Sequence, residues 1–415
     1  MSNTANDNSS IQLNSANNQR RIKTETVNVL ILASGPFIGM GFGRFAYALI
    51  LPAMRLNLHW SLAISGAIGS ANTVGYFFGA IIASPLAKKV DARRLFAGTM
   101  LLTAVSILLT GVSTEIVAIG ILRFFTGVFA ATTYVVGAGI AMRLVETQGR
   151  SVMAKMLGLY VGGIGVGIIV SGIGAPYLIK STSSALGWRL AWISLGAFGV
   201  ILTLMVMKAT FKIQVAHKKD SQIKSRIPHS RLMILYISYG FFGLGYVTYM
   251  TFIIVYLTSH GASTFEISLF WVFLGIAVLV GSLPWSRAIA RLAPRFSLSL
   301  IFISVGIGAS IPILFHSLLA MLLSALLFGG SFLSVVAAIF EVSRRKLLPS
   351  QYTASAGALT AVFAIGQIIG PVLSGIISSG SAGLNIGFEV SAGLLFVGSI
   401  VVLLEREEVH SEVVV

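Results

Sequence analysis

Two arginines stand where charge is expensive. Arg44 lies in Gly41-Phe42-Gly43-Arg44-Phe45-Ala46-Tyr47, and Arg123 opens Arg123-Phe124-Phe125-Thr126-Gly127. Both sit deep within long apolar runs. A guanidinium at that depth in a membrane costs ~2.5–3.5 kcal/mol and almost always turns to a bundle interior or to water. Its planar fork of N–H donors matches a carboxylate or a phosphate. The chain's carboxylates lie elsewhere. Asp7, Asp91 and Asp220 fall in tails or loops, Glu115, Glu266 and Glu389 near outer helix ends, and Glu341 at an inner end. The six histidines (His59, His217, His229, His260, His316 and His410) also lie outside the centres of the runs. The chemistry on offer is therefore anion binding. The alternative is that each arginine donates to backbone carbonyls or tyrosines and holds helices together. For Arg123 both readings stay open, whereas Arg44 reads as an anion contact.

The elements that carry these residues follow from composition. Of 415 residues 56% are hydrophobic and 10% charged, against roughly 25% charged in an average soluble domain, which excludes a soluble enzyme. Apolar stretches recur at about 27–54, 62–84, 95–113, 115–141, 156–179 and 187–207, then at 231–258, 264–284, 296–315, 318–341, 353–377 and 385–404. Each is long enough for one transmembrane helix. The fold class is thus all-α, with twelve transmembrane helices as two six-helix bundles. A polar tail (1–26) precedes the first bundle (27–207). A basic linker (208–230) leads to the second bundle (231–404), and a short tail (405–415) ends the chain. Residues 1–26 contain no apolar core of a signal peptide.

The net charge of +16 would suggest nucleic acid in a soluble protein. Here 24 of the 29 basic residues fall in the tails and in every second loop, from Arg20, Arg21 and Lys23 through the linker to Arg406. That is the positive-inside pattern. It predicts both termini on the cytoplasmic side of the inner (plasma) membrane, and it leaves the lipid bilayer, not nucleic acid, as the surrounding partner. With no cysteine, disulfides and thiolate metal sites are excluded. No phosphate loop, metal cluster or catalytic triad is present, so no cofactor is expected. Gly39-x-Gly41-x-Gly43 lies inside a membrane helix, where a dinucleotide loop cannot form.

Depth can be compared along the helices. Arg44 lies about 10 residues from the outer end of span 1 and Arg123 about 8 from that of span 4. At ~1.5 Å per residue both sit roughly 12–15 Å below the outer surface. Tyr47, one turn from Arg44, is predicted to share its face. Asn72, Tyr246, Tyr249, Trp271 and Gln367 fall at comparable depth, with Tyr134 deeper. Taken singly each also fits core packing or an interhelix hydrogen bond. As a set they read as polar anchors of a mostly apolar pocket. Gly158, Gly162, Gly163 and Gly167, like Gly366 and Gly370, have the small-xxx-small spacing of closely packed helices.

The halves repeat weakly. Ser34-Gly35-Pro36-Phe37-Ile38-Gly39-Met40-Gly41-Phe42 lines up with Ser238-Tyr239-Gly240-Phe241-Phe242-Gly243-Leu244-Gly245-Tyr246, and Gly158 and Gly167 are spaced like Gly357 and Gly366. With twelve spans as six plus six and a basic central loop, the chain resembles the major facilitator superfamily from about residue 27 to 404. Arg123 to Gly127 is similar to the family's RxxxG motif. Gly187-Trp188-Arg189 and Gly366-Gln367-Ile368-Ile369-Gly370-Pro371 are also family-like. Gly41 to Tyr47, followed by Leu51-Pro52, resembles the YbfB/YjiJ branch.

The resemblance implies a monomeric transporter that moves a small-molecule substrate by alternating access around a midplane site. It implies a gate in the loop between spans 2 and 3, where Lys88, Asp91 and Arg93 lie. That loop departs from the family pattern, since Lys88 stands where an Asp is expected and Asp91 is the substitute at hand. In span 5, Ser171-Gly172 replaces the Gly-Pro that would continue the antiporter motif. The preferred substrate is a small organic anion held by Arg44, with Arg123 as a second ligand or a structural residue. With no mid-span Asp, Glu or His, the options are uniport, exchange, or symport in which a proton neutralises a substrate carboxylate. The alternative is a proton-coupled exporter of amphipathic drugs or metabolites, with Glu341 or Glu389 titrating. A transporter-like sensor would need a signalling domain, and an enzyme would need an acid–base pair or a nucleophile that no span offers.

Overall fold

A computed structural model describes residues 21–214, 227–379 and 383–405. Among these residues there is no strand, and twelve helices are long and apolar enough to cross a membrane. They are α1 (Arg21–Asn57), α2 (Leu62–Lys89), α3 (Ala92–Thr110), α4 (Ile116–Leu144), α5 (Ser151–Ser181) and α6 (Ala185–Lys212) in the first bundle. The second holds α7 (His229–Ser259), α8 (Thr264–Arg291), α9 (Pro294–Leu314), α10 (Leu318–Arg345), α11 (Ala354–Ile377) and α12 (Gly383–Leu403). Residues 1–20 and 406–415 of the two tails, and 215–226 of the linker, lie outside the described residues.

The helices overrun the apolar stretches. α1 already starts at Arg21, within the predicted tail, and α6 continues to Lys212, within the predicted linker. Backbone hydrogen bonding does not stop where apolarity stops, and a basic residue in the last turn of α6 suits the negative end of its dipole. Starts are set by side-chain caps. Ser61 Oγ accepts from the Ile64 amide and Ser317 Oγ from the Ala320 amide, while Ser263 and Glu266 form a reciprocal capping box.

Glycine sets the packing within each bundle. Gly75 and Gly79 of α2 lie against the backbone of α4 at Phe124 and Val128, and Gly127 of α4 lies against the carbonyl of Asn72. No side chain could stand between these helices. At the ends of α1 and α3 the Gly187-Trp188-Arg189 segment acts as a tie. Trp188 Nε1 donates to Asn57 Oδ1 (3.0 Å), and Arg189 donates to the carbonyls of Gly111 and Val112 (3.0 and 2.8 Å).

The bundles meet along two seams. In one, α2 packs on α11: Ser70 Oγ donates to the Ile368 carbonyl (2.7 Å), Gly66 rests on the Pro371 carbonyl, and Gly375 rests on Leu62. In the other, α5 packs on α8: Gly165 and Gly275 oppose each other, Ser268 Oγ donates to the Gly172 carbonyl (2.7 Å), and Trp271 Nε1 donates to Ser171 Oγ (3.3 Å). These contacts run from mid-helix to the ends that carry the α1–α2 turn, here the turn side. Towards the side where α1 starts and α12 ends, the terminal side, contact ceases. Gly158 continues the face of α5 that carries Gly162 and Gly165, and Gly357 continues the face of α11 that carries Pro371, yet both look into open space. The bundles are closed on the turn side and parted on the terminal side.

The α2–α3 turn belongs to the first bundle alone. Asp91 caps α3, accepting from the amides of Arg93 and Arg94 (3.0 and 3.2 Å), and pairs with the Arg93 guanidinium at 2.9 Å. Arg93 in turn donates to the Phe211 and Ile213 carbonyls at the end of α6 (3.1 and 3.2 Å), while Lys88 is exposed. The Arg93 side chain, followed by the two amides, holds the Asp91 carboxyl down at about 2. Its stabilisation is therefore present above the unfolded carboxyl's ordinary range and is lost only as pH falls through about 2. Asp91→Ala is expected to lower stability by about 1 kcal/mol, equally at pH 5 and pH 8. A loss that grew between those values in thermal unfolding would show that another group sets this turn.

Candidate functional site

Arg44 owes its position to an irregularity in α1. From Phe37 to Phe45 the helix widens into a π-helix, a form that recurs at functional sites. Three glycines permit the close packing around it: Gly39 lies on Ala130 of α4, Gly41 on the Gly167 backbone of α5, and Gly43 against Thr126. Arg44, at the end of this segment, is the one residue of the nine that is not buried. Its guanidinium lies over the Tyr76 ring (5.2 Å) and reaches across to the second bundle, where Nη2 stands 3.4 Å from the Tyr246 hydroxyl.

Tyr246 is held from the other side. Gln367 Nε2 donates to the same hydroxyl, and the ring is stacked on Phe242 (4.8 Å, 12°) and Phe332 (5.8 Å, 14°). A phenol oxygen that accepts from both Gln367 and Arg44 keeps its own proton to give. Arg44 and Tyr246 thus offer two donors, one from each bundle, to a single acceptor in the cleft.

Arg123 behaves differently. It is 1% exposed, donates from Nη1 to the Gly43 carbonyl at 2.5 Å, and is faced by the rings of Tyr47 (4.7 Å) and Trp192 (5.3 Å). Its Nε has no hydrogen-bond partner. The charge is spent joining α1, α4 and α6. Tyr47 is committed as well, its hydroxyl donating to the Ser65 carbonyl of α2 (2.7 Å). Asn72 donates from Nδ2 to the carbonyl of Arg123 itself (3.0 Å), a bond between α2 and α4.

A cleft between the bundles brings Arg44, Tyr47, Asn72, Arg123 and Tyr246 together, with Gln367 behind Tyr246. Its second-bundle wall includes Met250 and Thr251. It encloses about 370 Å³ out to its open mouth, of which only about 30 Å³ admits the centre of a water molecule, room for one or two waters. A solute needs the bundles to move apart. Two expected members stand elsewhere. Tyr249 bonds Ser324 (2.5 Å) and stacks on Phe328 inside the second bundle, and Trp271 is buried in the α5–α8 seam. Tyr76, which flanks Arg44, was not singled out from sequence, although it follows Asn72 by one helical turn.

Among the described residues no carboxylate lines this cleft. Glu341 pairs with Arg345 (3.3 Å) near the terminal end of α10, Glu389 is exposed at the turn side of α12, and Glu405 pairs with Lys346 at the terminal end of the second bundle. No group of three metal-binding side chains occurs among the described residues.

Comparison with known proteins agrees with this architecture. A variant of the nucleoside transporter NupG superposes with a TM-score of 0.72 at 13% identity, covering 92% of this chain and 100% of that one. A bacterial homologue of the human lysosomal transporter Spinster, in an inward-facing and occupied conformation, gives 0.69 at 15% identity, covering 92% and 96%. At such identities the likeness speaks for the fold. No curated protein sequence matches the chain. A family model does, over residues 36–403, with the description "Uncharacterised MFS-type transporter YbfB". Spanning nearly all twelve helices and both arginines, that match makes the chain a member of the YbfB-type family of major facilitator transporters.

Proposed function

We propose that this transporter moves a small organic anion across the cytoplasmic membrane, as a monomer, by alternating access with Arg44 as the principal ligand. One observation carries the reading: Arg44 is a partly exposed charge in the cleft between the bundles, with no carboxylate among the residues lining it and a second donor, Tyr246, facing it. The placement of basic residues supports a topology with both termini in the cytoplasm. In that topology the terminal side, where the bundles are parted, faces the cytoplasm. In this reading Arg123 is the scaffold for Arg44 and not a second ligand. Asp91 and Arg93 brace the first bundle during the motion.

The test is a thermal-shift screen of the purified chain. One pool holds lactate, benzoate, succinate and glycerol phosphate, and the other holds tetraphenylphosphonium and ethidium. A ligand of the native state at 100 times its Kd adds ~2.7 kcal/mol of apparent stability. Stabilisation by an anion is expected, with Arg44→Gln weakening it roughly 10- to 150-fold, the equivalent of one charged hydrogen bond of about 1.5–3 kcal/mol. Stabilisation by the cations alone would overturn the reading in favour of a drug exporter.

A further inference from the structure

We infer that the carrier is an obligate anion exchanger: its bundles change sides only while an anion is paired with Arg44. This inference rests on the anion reading above and adds what happens to the empty carrier. To change sides, the terminal half of the cleft must close before the turn-side seams open, so Arg44 passes through a state sealed at both ends. The turn side is already sealed by the α2–α11 and α5–α8 seams, and around the arginines there is space for a water or two. Closing the other half removes what hydration Arg44 has left, and a lone buried charge is strongly disfavoured unless paired. Arg123, the neighbouring charge, has the same sign and lies within electrostatic reach.

An empty carrier could escape this barrier if a carboxylate of its own moved onto the arginine for the return. Among the described residues none is at hand: no Asp or Glu lines the cleft, Glu341 and Glu405 are paired at the helix ends, and Glu389 is exposed at the turn side. Nor does any described carboxyl or imidazole line the cleft to take up a proton on one side and release it on the other. Apart from Arg123, the groups around Arg44 are neutral: the Tyr246 hydroxyl, the Tyr76 face and the Asn72 amide. An arriving anion cancels the charge and accepts from Arg44 on one bundle and Tyr246 on the other, so it both removes the barrier and draws the bundles together. One anion enters for each that leaves, and charge balances when the two are equally charged.

The chain has no cysteine, so a pair of fluorophores can be placed without altering native residues elsewhere. Thr114 and Ser379 are exposed, on the turn side of different bundles, and Thr114→Cys with Ser379→Cys takes the pair. In single molecules without added anion, the wild-type chain and Arg44→Lys are expected to switch between short and long distances at least tenfold more slowly than with a stabilising anion of the pool. Arg44→Gln is expected to switch without anion at least tenfold faster than the unliganded wild type. If the unliganded wild type switches as fast as the liganded one, or Arg44→Gln matches the unliganded wild type, the inference fails. The flux test is independent. Proteoliposomes of the full chain take up whichever labelled anion of the pool stabilises it, at least tenfold faster when preloaded with the same unlabelled anion than when empty. Equal uptake into empty vesicles, or uptake driven by a proton gradient alone, overturns exchange and leaves the anion site standing. If no anion stabilises the protein, the site itself is wrong and exchange falls with it.

Discussion

Arg123→Ala is expected to cost about 3–5 kcal/mol of stability, the range for truncating a large buried side chain, while Arg44→Gln leaves stability within about 1 kcal/mol. The contrast follows from how each arginine is used. Arg123 fills the space between Tyr47 and Trp192 and satisfies the Gly43 carbonyl. Alanine leaves a void there and an unpaired buried acceptor. Arg123→Met separates the two losses, since it fills the void but cannot donate. It is expected to cost only the orphaned carbonyl, about 1–3 kcal/mol. Arg44 leans on Tyr76 and makes one long hydrogen bond, so little packing depends on its charge. Unfolding of the purified variants, followed by tryptophan fluorescence, reads these differences because Trp192 reports on the Arg123 site directly. An Arg123→Ala chain that kept its stability but lost anion binding would return Arg123 to the role of ligand.

The same two arginines show what a sequence can and cannot disclose about such a protein. Depth is legible: the positions of Arg44, Asn72, Arg123, Tyr246 and Gln367 along their helices placed them at one level, and they are gathered at one cleft. Azimuth is not. Tyr249 is only three residues from Tyr246, yet it turns into the second bundle to bond Ser324. Trp271, at the right depth on α8, faces α5 instead of the cavity. Nothing in a uniformly apolar helix marks which side meets lipid, neighbour or cleft, since the usual contrast between a polar and an apolar face is missing. The π-helical segment adds a second obstacle. The wider turn from Phe37 to Phe45 is not visible in the residue pattern. Tyr47 shares the cleft with Arg44 as its spacing suggests, but which ring each guanidinium meets could not be counted: Tyr47 lies under Arg123, and Arg44 finds Tyr76 on α2. The twelve spans themselves were legible because length, apolarity and basic loops repeat, and none of these depends on which way a helix faces.

Gly66→Ala should open the turn side. Its new methyl would fall on the Pro371 carbonyl, a backbone atom that cannot swing aside. Overpacking of this kind costs about 1–3 kcal/mol, and each 1.4 kcal/mol is a factor of ten. The turn-side-closed population should thus fall roughly 5- to 150-fold relative to the alternative. Gly275→Ala loads the other seam, where Gly165 is the opposing residue, and the two substitutions should combine, as distant sites do. Gly158→Leu and Gly357→Leu test the converse. These glycines face open space on the terminal side, so the larger side chains fit the conformation described here. If the bundles rock as rigid bodies, the same faces must meet when the terminal side closes, and leucine would prevent it. Reaction of a Met250→Cys chain with a membrane-impermeant maleimide from the turn side distinguishes the cases, because Met250 lines the cleft. The expected rate rises tenfold or more with Gly66→Ala and Gly275→Ala, and falls below that of the parent with Gly158→Leu. Equal rates in all three would mean that the seams do not gate the cleft and that the motion has another hinge. A rise in the first alone would mean that the open faces of α5 and α11 never come together, and closure on the terminal side would have to be made by the helix ends.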